Sequence, residues 1–284
     1  MKQAPSAESQ RIFAPSILAD QVALVTGGGS GIGLATAAEL IRLGARVVIC
    51  GRTREKLDTA AAQLATLADS PPFGPSPSRP GASTVLADTC DIRDAEQVDA
   101  TVKRALERFG RIDILVNNAG GQFPAPAESI TPRGFEAVIR NNLSGTFHMT
   151  RAVATAAMIP ASRGRIVNVI ANIYRGFPLM VHTGAARAGV ENMTMTLAVE
   201  WSRFNILVNS VAPGVILSSG TDRYPREAIE AAVQRCPLKR AGTVDEVAAA
   251  IVFLCSPAAQ YITGITLRID GAQSLWGDTF PIPD

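Results

Sequence analysis

Thr26-Gly27-Gly28-Gly29-Ser30-Gly31-Ile32-Gly33 follows the apolar run Val22-Ala23-Leu24-Val25 and opens a segment of helical periodicity from Leu34 to Leu43. Strand, glycine-rich turn and helix N-terminus in this order make a site for a dinucleotide pyrophosphate. Glycines let the backbone approach the phosphates, and the first-turn N–H groups with the helix dipole favour their negative charge. The glycine spacing is G-x-x-x-G-x-G, at Gly27, Gly31 and Gly33, and not the commoner G-x-G-x-x-G.

The totals narrow the setting. A chain of 284 residues fits one large α/β domain or two small ones, and 47% apolar residues suffice for a buried core. Lys and Arg number 27 against 25 Asp and Glu, which argues against a nucleic-acid partner. No segment is apolar for long enough to span a membrane, and the N-terminus has no apolar stretch of the secretory kind. Cys50, Cys90, Cys236 and Cys255 lack metal or disulfide spacing, so they read as reduced core residues of a cytosolic protein. With two histidines in the chain, no metal site is expected.

Outward from the turn, periodicity predicts a regular alternation. Residues 1–20 read as a polar arm laid on the surface, and 21–284 as a single domain. After the first helix comes a strand at Arg46–Cys50, a helix at about Thr53–Ala68, and a proline-rich surface insertion over 70–81. Strands are expected at Ser83–Ala87, Ile112–Val116, Arg165–Ile170, Ile206–Val211 and Ile265–Ile269. Helices are expected at Asp94–Phe109, Phe135–Ala157, Thr183–Phe204 and Val244–Cys255. Residues from about 215 to 240 read as a substrate loop with a short helix. Strands alternating with helices imply right-handed crossovers and a doubly wound parallel α/β sheet of about seven strands.

TGGGSGIG, then Cys90-Asp91, Asn117-Asn118-Ala119-Gly120, Asn142 in NNLSG, and Pro213-Gly214 resemble the short-chain dehydrogenase/reductases over about Gln21 to Gly271. The resemblance implies a Rossmann fold, NAD or NADP, and a homotetramer or homodimer. It places Thr26, Gly27, Gly29, Ser30, Gly31, Ile32, Gly33, Arg52, Asp91, Ile92, Asn118, Ala119, Gly120, Arg187, Pro213 and Gly214 at the cofactor. Asp91 would hold the adenine, Asn117 would brace the cofactor and sheet, and Asn142 would hold the ordered water of the usual proton relay. An acidic residue about 20 positions past the turn would bond the ribose hydroxyls and repel a 2′-phosphate. Here Cys50-Gly51-Arg52 has no carboxylate, and Arg52 offers a planar cation, so NADP(H) is the expected cofactor.

The catalytic half of the pattern differs. The family's usual serine, tyrosine and lysine are absent. Register taken from Ala188-Gly189-Val190 puts Arg187 at the lysine position and Thr183 at the tyrosine position, and the serine falls near Ile170-Ala171. A threonine hydroxyl does not ionise near neutrality, and arginine keeps its charge without shuttling a proton. The segments Gly176-Phe177-Pro178-Leu179, HTGAARAGV and Gly121-Gln122-Phe123-Pro124-Ala125-Pro126-Ala127-Glu128 resemble the enoyl-CoA and dienoyl-CoA reductase branch, the peroxisomal trans-2-enoyl-CoA reductases in particular. That resemblance implies Tyr174 and Gln122 as donors to a thioester carbonyl, with Asn142, Thr183 and Arg187 beside them. Glu191 would pair with Arg187 one turn away. His182 reads as a packed loop histidine or as a proton donor.

Three functions follow from this set: NADPH-dependent reduction of a trans-2-enoyl-CoA, a carbonyl reductase with a re-routed proton relay, or a cofactor-binding sensor without catalysis. The first is the expectation, with an acyl-CoA thioester as small-molecule partner. The chain ends Phe280-Pro281-Ile282-Pro283-Asp284, unlike a peroxisomal S-K-L signal, so the expected compartment is the cytoplasm.

Overall fold

The computed structural model describes residues 13–14, 16–68, 84–218, 220–221 and 224–276. The expected insertion over 70–81, the first part of the arm and the C-terminal five residues lie outside the described residues.

In chain order the elements are β1 (Val22–Thr26), α1 (Gly31–Arg42), β2 (Arg46–Gly51), α2 (Arg54–Ala68), β3 (Val85–Thr89), α3 (Ala95–Phe109) and β4 (Ile114–Asn117). One long helical stretch follows, α4 (Pro132–Ile139), α5 (Gly145–Val153) and α6 (Ile159–Ala161), joined by π-helical turns at Arg140–Ser144 and Ala154–Met158. Then come β5 (Gly164–Val169), α7 (Val181–Glu200), β6 (Ile206–Pro213), β7 (Ile216–Leu217), α8 (Arg226–Gln234), β8 (Gly242–Thr243), α9 (Val244–Cys255) and β9 (Thr266–Ile269).

The main sheet has seven strands in the order β3-β2-β1-β4-β5-β6-β9, every pairing parallel. All five residues of β1 are buried, because helices cover both faces of the sheet. Ala23 and Val25 pack with α1, α2 and α9, whereas Val22 and Leu24 pack with α3, α5 and α7. Side chains alternate across a strand, so a continuous apolar run feeds two cores at once. Leu24 is fully buried, and truncating it to alanine costs about 2–5 kcal/mol.

Three expectations change. The end of the arm does not lie wholly on the surface: Leu18 is fully buried, its N–H bonded to Leu43 O at 2.9 Å. β3 runs two residues later than expected, since Thr84 O caps its pairing to Val47 and the strand continues to Thr89. α7 begins at Val181, two residues early, and stops at Glu200, where a 3₁₀ turn takes over at Ser202–Phe204. A small parallel pair, β7 with β8, was not legible in the sequence.

The strand order reverses beside β1: β2 and β3 extend one way, β4 onward the other. Crevices for ligands form outside the carboxyl ends of the strands at such a switch point. Here the glycine turn after β1 and the segment after β4 flank it.

Candidate active site

The turn is built for close backbone approach. Gly27 and Gly31 have φ of 65° and 55°, left-handed values that favour glycine. A Cβ on Gly33 would stand 2.4 Å from Gly27 O and 2.5 Å from Asn118 Nδ2, so a side chain there would push the turn open. Gly27 N–H donates to Cys50 O at 2.7 Å, holding the turn against β2. Thr26 Oγ1 accepts from the amides of Asn118 (3.0 Å) and Ala119 (2.9 Å), and Asn118 Nδ2 donates to Thr26 O (3.0 Å) and Gly27 O (3.3 Å). Thr26, Asn118 and Ala119 thus stitch the two sides of the switch point together. Ser30 precedes α1 without a side-chain cap. The first-turn amides, which helix geometry leaves without intrahelical partners, lie at this turn, where α1 begins after Ser30. These residues fit a dinucleotide pyrophosphate.

At the adenosine end, Gly51 O accepts from Cys90 N at 2.8 Å, which sets the loops after β2 and β3 side by side. Asp91 is paired within the chain. Arg93 Nε donates to both carboxylate oxygens (2.9 and 3.0 Å), and the Arg93 contact, with help from Arg52's charge, holds the Asp91 pKa below the usual range. The carboxylate therefore meets an adenine only with the lone pairs that Arg93 leaves. Ile92 is buried against Gly145, and its carbonyl accepts from His148 Nδ1 at 3.2 Å. Arg52 is exposed at the end of β2, with no carboxylate at 50–52. All four cysteines are free and buried.

Asn117 and Asn142 are positioning residues. Asn117 Nδ2 donates to Thr150 Oγ1 and Asn168 Oδ1, both at 2.8 Å, and braces the sheet from inside. Asn142, re-aimed by the π-helical turn, makes a reciprocal pair with Gly121: its Oδ1 accepts from Gly121 N (3.0 Å) and its Nδ2 donates to Gly121 O (2.7 Å). Its own carbonyl accepts from Thr146 Oγ1 at 2.9 Å.

Arg187 and Thr183 do lie one turn apart on α7, as the register implies. Arg187 is 8% exposed, and its Nη2 would be 2.4 Å from a Cβ on Gly120. Its Nε is buried without a partner among the described residues, and burial lowers its pKa to about 10, which leaves it protonated at neutrality. The Thr183 hydroxyl is fully buried, 3.2 Å from His182 Nδ1, and that nitrogen also accepts from Thr183 N at 2.8 Å. With Nδ1 accepting, the ring's donor is Nε2, a buried group with no partner among the described residues. Phe123 stands edge-to-face with the His182 ring at 4.6 Å.

Tyr174 and Gln122 bond to different partners. Tyr174 Oη donates to Glu191 Oε1 at 2.8 Å, and its ring lies 3.9 Å from the Arg268 guanidinium carbon, packed with Ile170, Val190 and Ala212. Burial, then the Glu191 carboxylate, raise the phenol pKa. Glu191 consequently pairs with Tyr174 and not with Arg187. Gln122 Nε2 instead donates to Tyr224 Oη at 3.1 Å, across 102 positions of sequence. Sequence reasoning passed over Tyr224, although it is a tyrosine within the expected substrate loop. Pro213 and Gly214 end β6 at the same sheet edge; Gly214 N donates to Ile269 O at 3.0 Å, and Pro213 O accepts from Asn172 N at 3.1 Å. An open cleft of about 720 Å³ reaches the turn at Gly29, Ser30 and Gly31 and is bordered by Leu217 and Ser218; a separate cavity of about 240 Å³ near Cys236 and Asp270 does not touch the turn.

Over residues 27–272 the chain matches the family described as Enoyl-(Acyl carrier protein) reductase. The peroxisomal 2,4-dienoyl-CoA reductase of Danio rerio, described as (3E)-enoyl-CoA-producing, is 40% identical over 270 residues, covering 93% of this chain and 85% of the relative. The solved citronellol catabolism dehydrogenase of Pseudomonas aeruginosa PAO1 is 44% identical with a TM-score of 0.79, covering 93% of this chain and 98% of that one. An actinorhodin polyketide ketoreductase variant solved with NADPH is 29% identical with a TM-score of 0.82, covering 93% of this chain and 100% of that one.

Proposed function

We propose that this chain, which belongs to the short-chain dehydrogenase/reductase family, is an NADPH-dependent reductase of the 2,3 double bond of a trans-2-enoyl-CoA. One observation carries the reading. The cofactor cradle is complete and Arg187 stands buried beside Gly120, yet the position of the family's acid–base tyrosine holds Thr183, buried against His182. A site that keeps its cofactor and lacks a titrating acid suits conjugate reduction better than ketone reduction.

The chemistry the cofactor supplies when bound is a hydride for the β-carbon of the thioester. Gly27, Gly31 and Gly33 would shape the pyrophosphate seat, Arg52 would meet a 2′-phosphate, and Arg187 would hold the nicotinamide ribose. Charge then gathers on the thioester oxygen, where Gln122, at the mouth of the site, donates a hydrogen bond. A donor aimed at such an oxygen contributes about 3–4 kcal/mol. The α-carbon takes its proton from water. The dienoyl-CoA reductase relatives and the NADPH-bound ketoreductase support the thioester and the cofactor respectively. We place the protein in the cytoplasm.

The test is loss of NADPH absorbance with trans-2-hexenoyl-CoA, 2,4-hexadienoyl-CoA and acetoacetyl-CoA in parallel. Turnover of the enoyl thioester well above the other two is expected. Preference for acetoacetyl-CoA would sink the reading in favour of a carbonyl reductase, and preference for the diene would move the substrate to a 2,4-dienoyl-CoA.

A further inference from the structure

Resting on that reading, we infer that Tyr224, carried by the loop before α8, is the phenol that donates to the thioester oxygen, together with Gln122. The chain has three tyrosines. Tyr174 commits its hydroxyl donor to Glu191 and is held under Arg268. Tyr261 is fully exposed beyond α9. Tyr224 alone of the three meets a residue of the segment that follows β4 at the switch point.

The direction of that bond matters. Gln122 Nε2 is the donor and Tyr224 Oη the acceptor. An amide NH₂ has two protons and a phenol one, so each side chain keeps a donor for a shared acceptor. Two neutral donors 3.1 Å apart are close enough to serve one acceptor, the arrangement that stabilises developing negative charge on an oxygen. The backbone of Tyr224 is fixed as well: its N–H donates to Thr221 O at 3.0 Å, and Pro225 caps α8 directly after it. The clasp also ties the substrate loop to the segment that Asn142 pins through Gly121.

Tyr224→Phe removes one proton and keeps the ring. With trans-2-hexenoyl-CoA, kcat is expected to fall by about 10²–10³-fold, KM to change less than about threefold, and NADPH affinity by fluorescence to stay level. A second readout needs no turnover. In isotope-edited infrared spectra of carbonyl-labelled hexanoyl-CoA, a saturated thioester, binding should shift the carbonyl band to lower frequency in the wild-type protein and less so in Tyr224→Phe. An unchanged kcat and carbonyl shift in Tyr224→Phe, or their loss in Tyr174→Phe instead, would overturn the assignment while leaving the enzyme an enoyl reductase. A rise in KM alone would also overturn it, because a loop clasp without donation to the oxygen gives that result. A wild-type protein inactive on every unsaturated thioester would instead remove the function reading, and this inference with it.

Discussion

Arg187 brings a guanidinium charge into the protein where no carboxylate pairs with it among the described residues. Taking a cation out of water costs several kcal/mol unless something compensates it. Its folded pKa, about 10, lies below the ordinary guanidinium value, so the charged form is disfavoured by folding. That cost is fully present at pH values below about 10 and is relieved only as pH rises through the folded pKa toward the higher unfolded one. A residue kept at such a cost suits a ligand that the protein alone does not supply. Arg187→Met is therefore expected to raise the melting temperature at pH 7 by about 2–4 °C in scanning fluorimetry while weakening NADPH binding about 10-fold or more by fluorescence titration. A lower melting temperature would mean the guanidinium stabilises the free protein. Arg52 makes a separate prediction: Arg52→Ala should reduce the preference for NADPH over NADH about tenfold, since its cation is all the end of β2 offers a 2′-phosphate. Equal preference before and after would remove Arg52 from the site.

Elements carry a second group of effects. α9 starts with a capping box: Thr243 Oγ1 accepts from Glu246 N at 3.2 Å, and the Glu246 carboxylate accepts from Thr243 N at 2.9 Å. Arg240 adds two bonds to that carboxylate (2.9 and 2.6 Å), and this contact lowers the Glu246 pKa below its ordinary 4.5. A depressed carboxylate stabilises the fold above its unfolded pKa and loses that contribution as pH falls through the folded one. Melting temperature should accordingly drop as pH is lowered below about 4.5, and the drop should be shallower in Glu246→Gln. Thr243→Ala should cost about 1 kcal/mol at neutral pH, read by urea unfolding. The helix periods were legible from sequence because burial repeats every 3.6 residues. The early start of α7 was not legible, and it has consequences: it makes His182 and Thr183 first-turn residues, so the imidazole can take up a helix N–H that has no partner within the helix.

At the scale of the whole molecule, the doubly wound sheet brings the turns after β1 and β4 together at one carboxyl edge, and the loops after β5 and β6 reach the same edge. α5 and α7 meanwhile expose Phe147, Met195 and Val199. Apolar side chains of this size on exposed helix faces suit burial between copies, and we propose a homotetramer. Light scattering should then return about four times the chain mass, and Val199→Glu with Met195→Glu should reduce it. A monomeric wild-type mass would end that proposal. Every strand of the main sheet was expected from the sequence, within two residues at most ends. The π-helical turn that aims Asn142 was not, because one extra residue in a helical turn leaves no periodic trace.

What the sequence determined by itself was the layer order and the cofactor cradle, since both are local. A run such as Val22–Thr26 buries wherever apolar area can leave water, and a turn with Gly27, Gly31 and Gly33 holds its shape within eight residues. Only the tertiary structure decided which polar group faces which. Hydrogen bonds are directional and short, and their partners here arrive from segments far apart: Tyr174 with Glu191, Asn142 with Gly121, Gln122 with Tyr224. No spacing in the chain encodes those meetings.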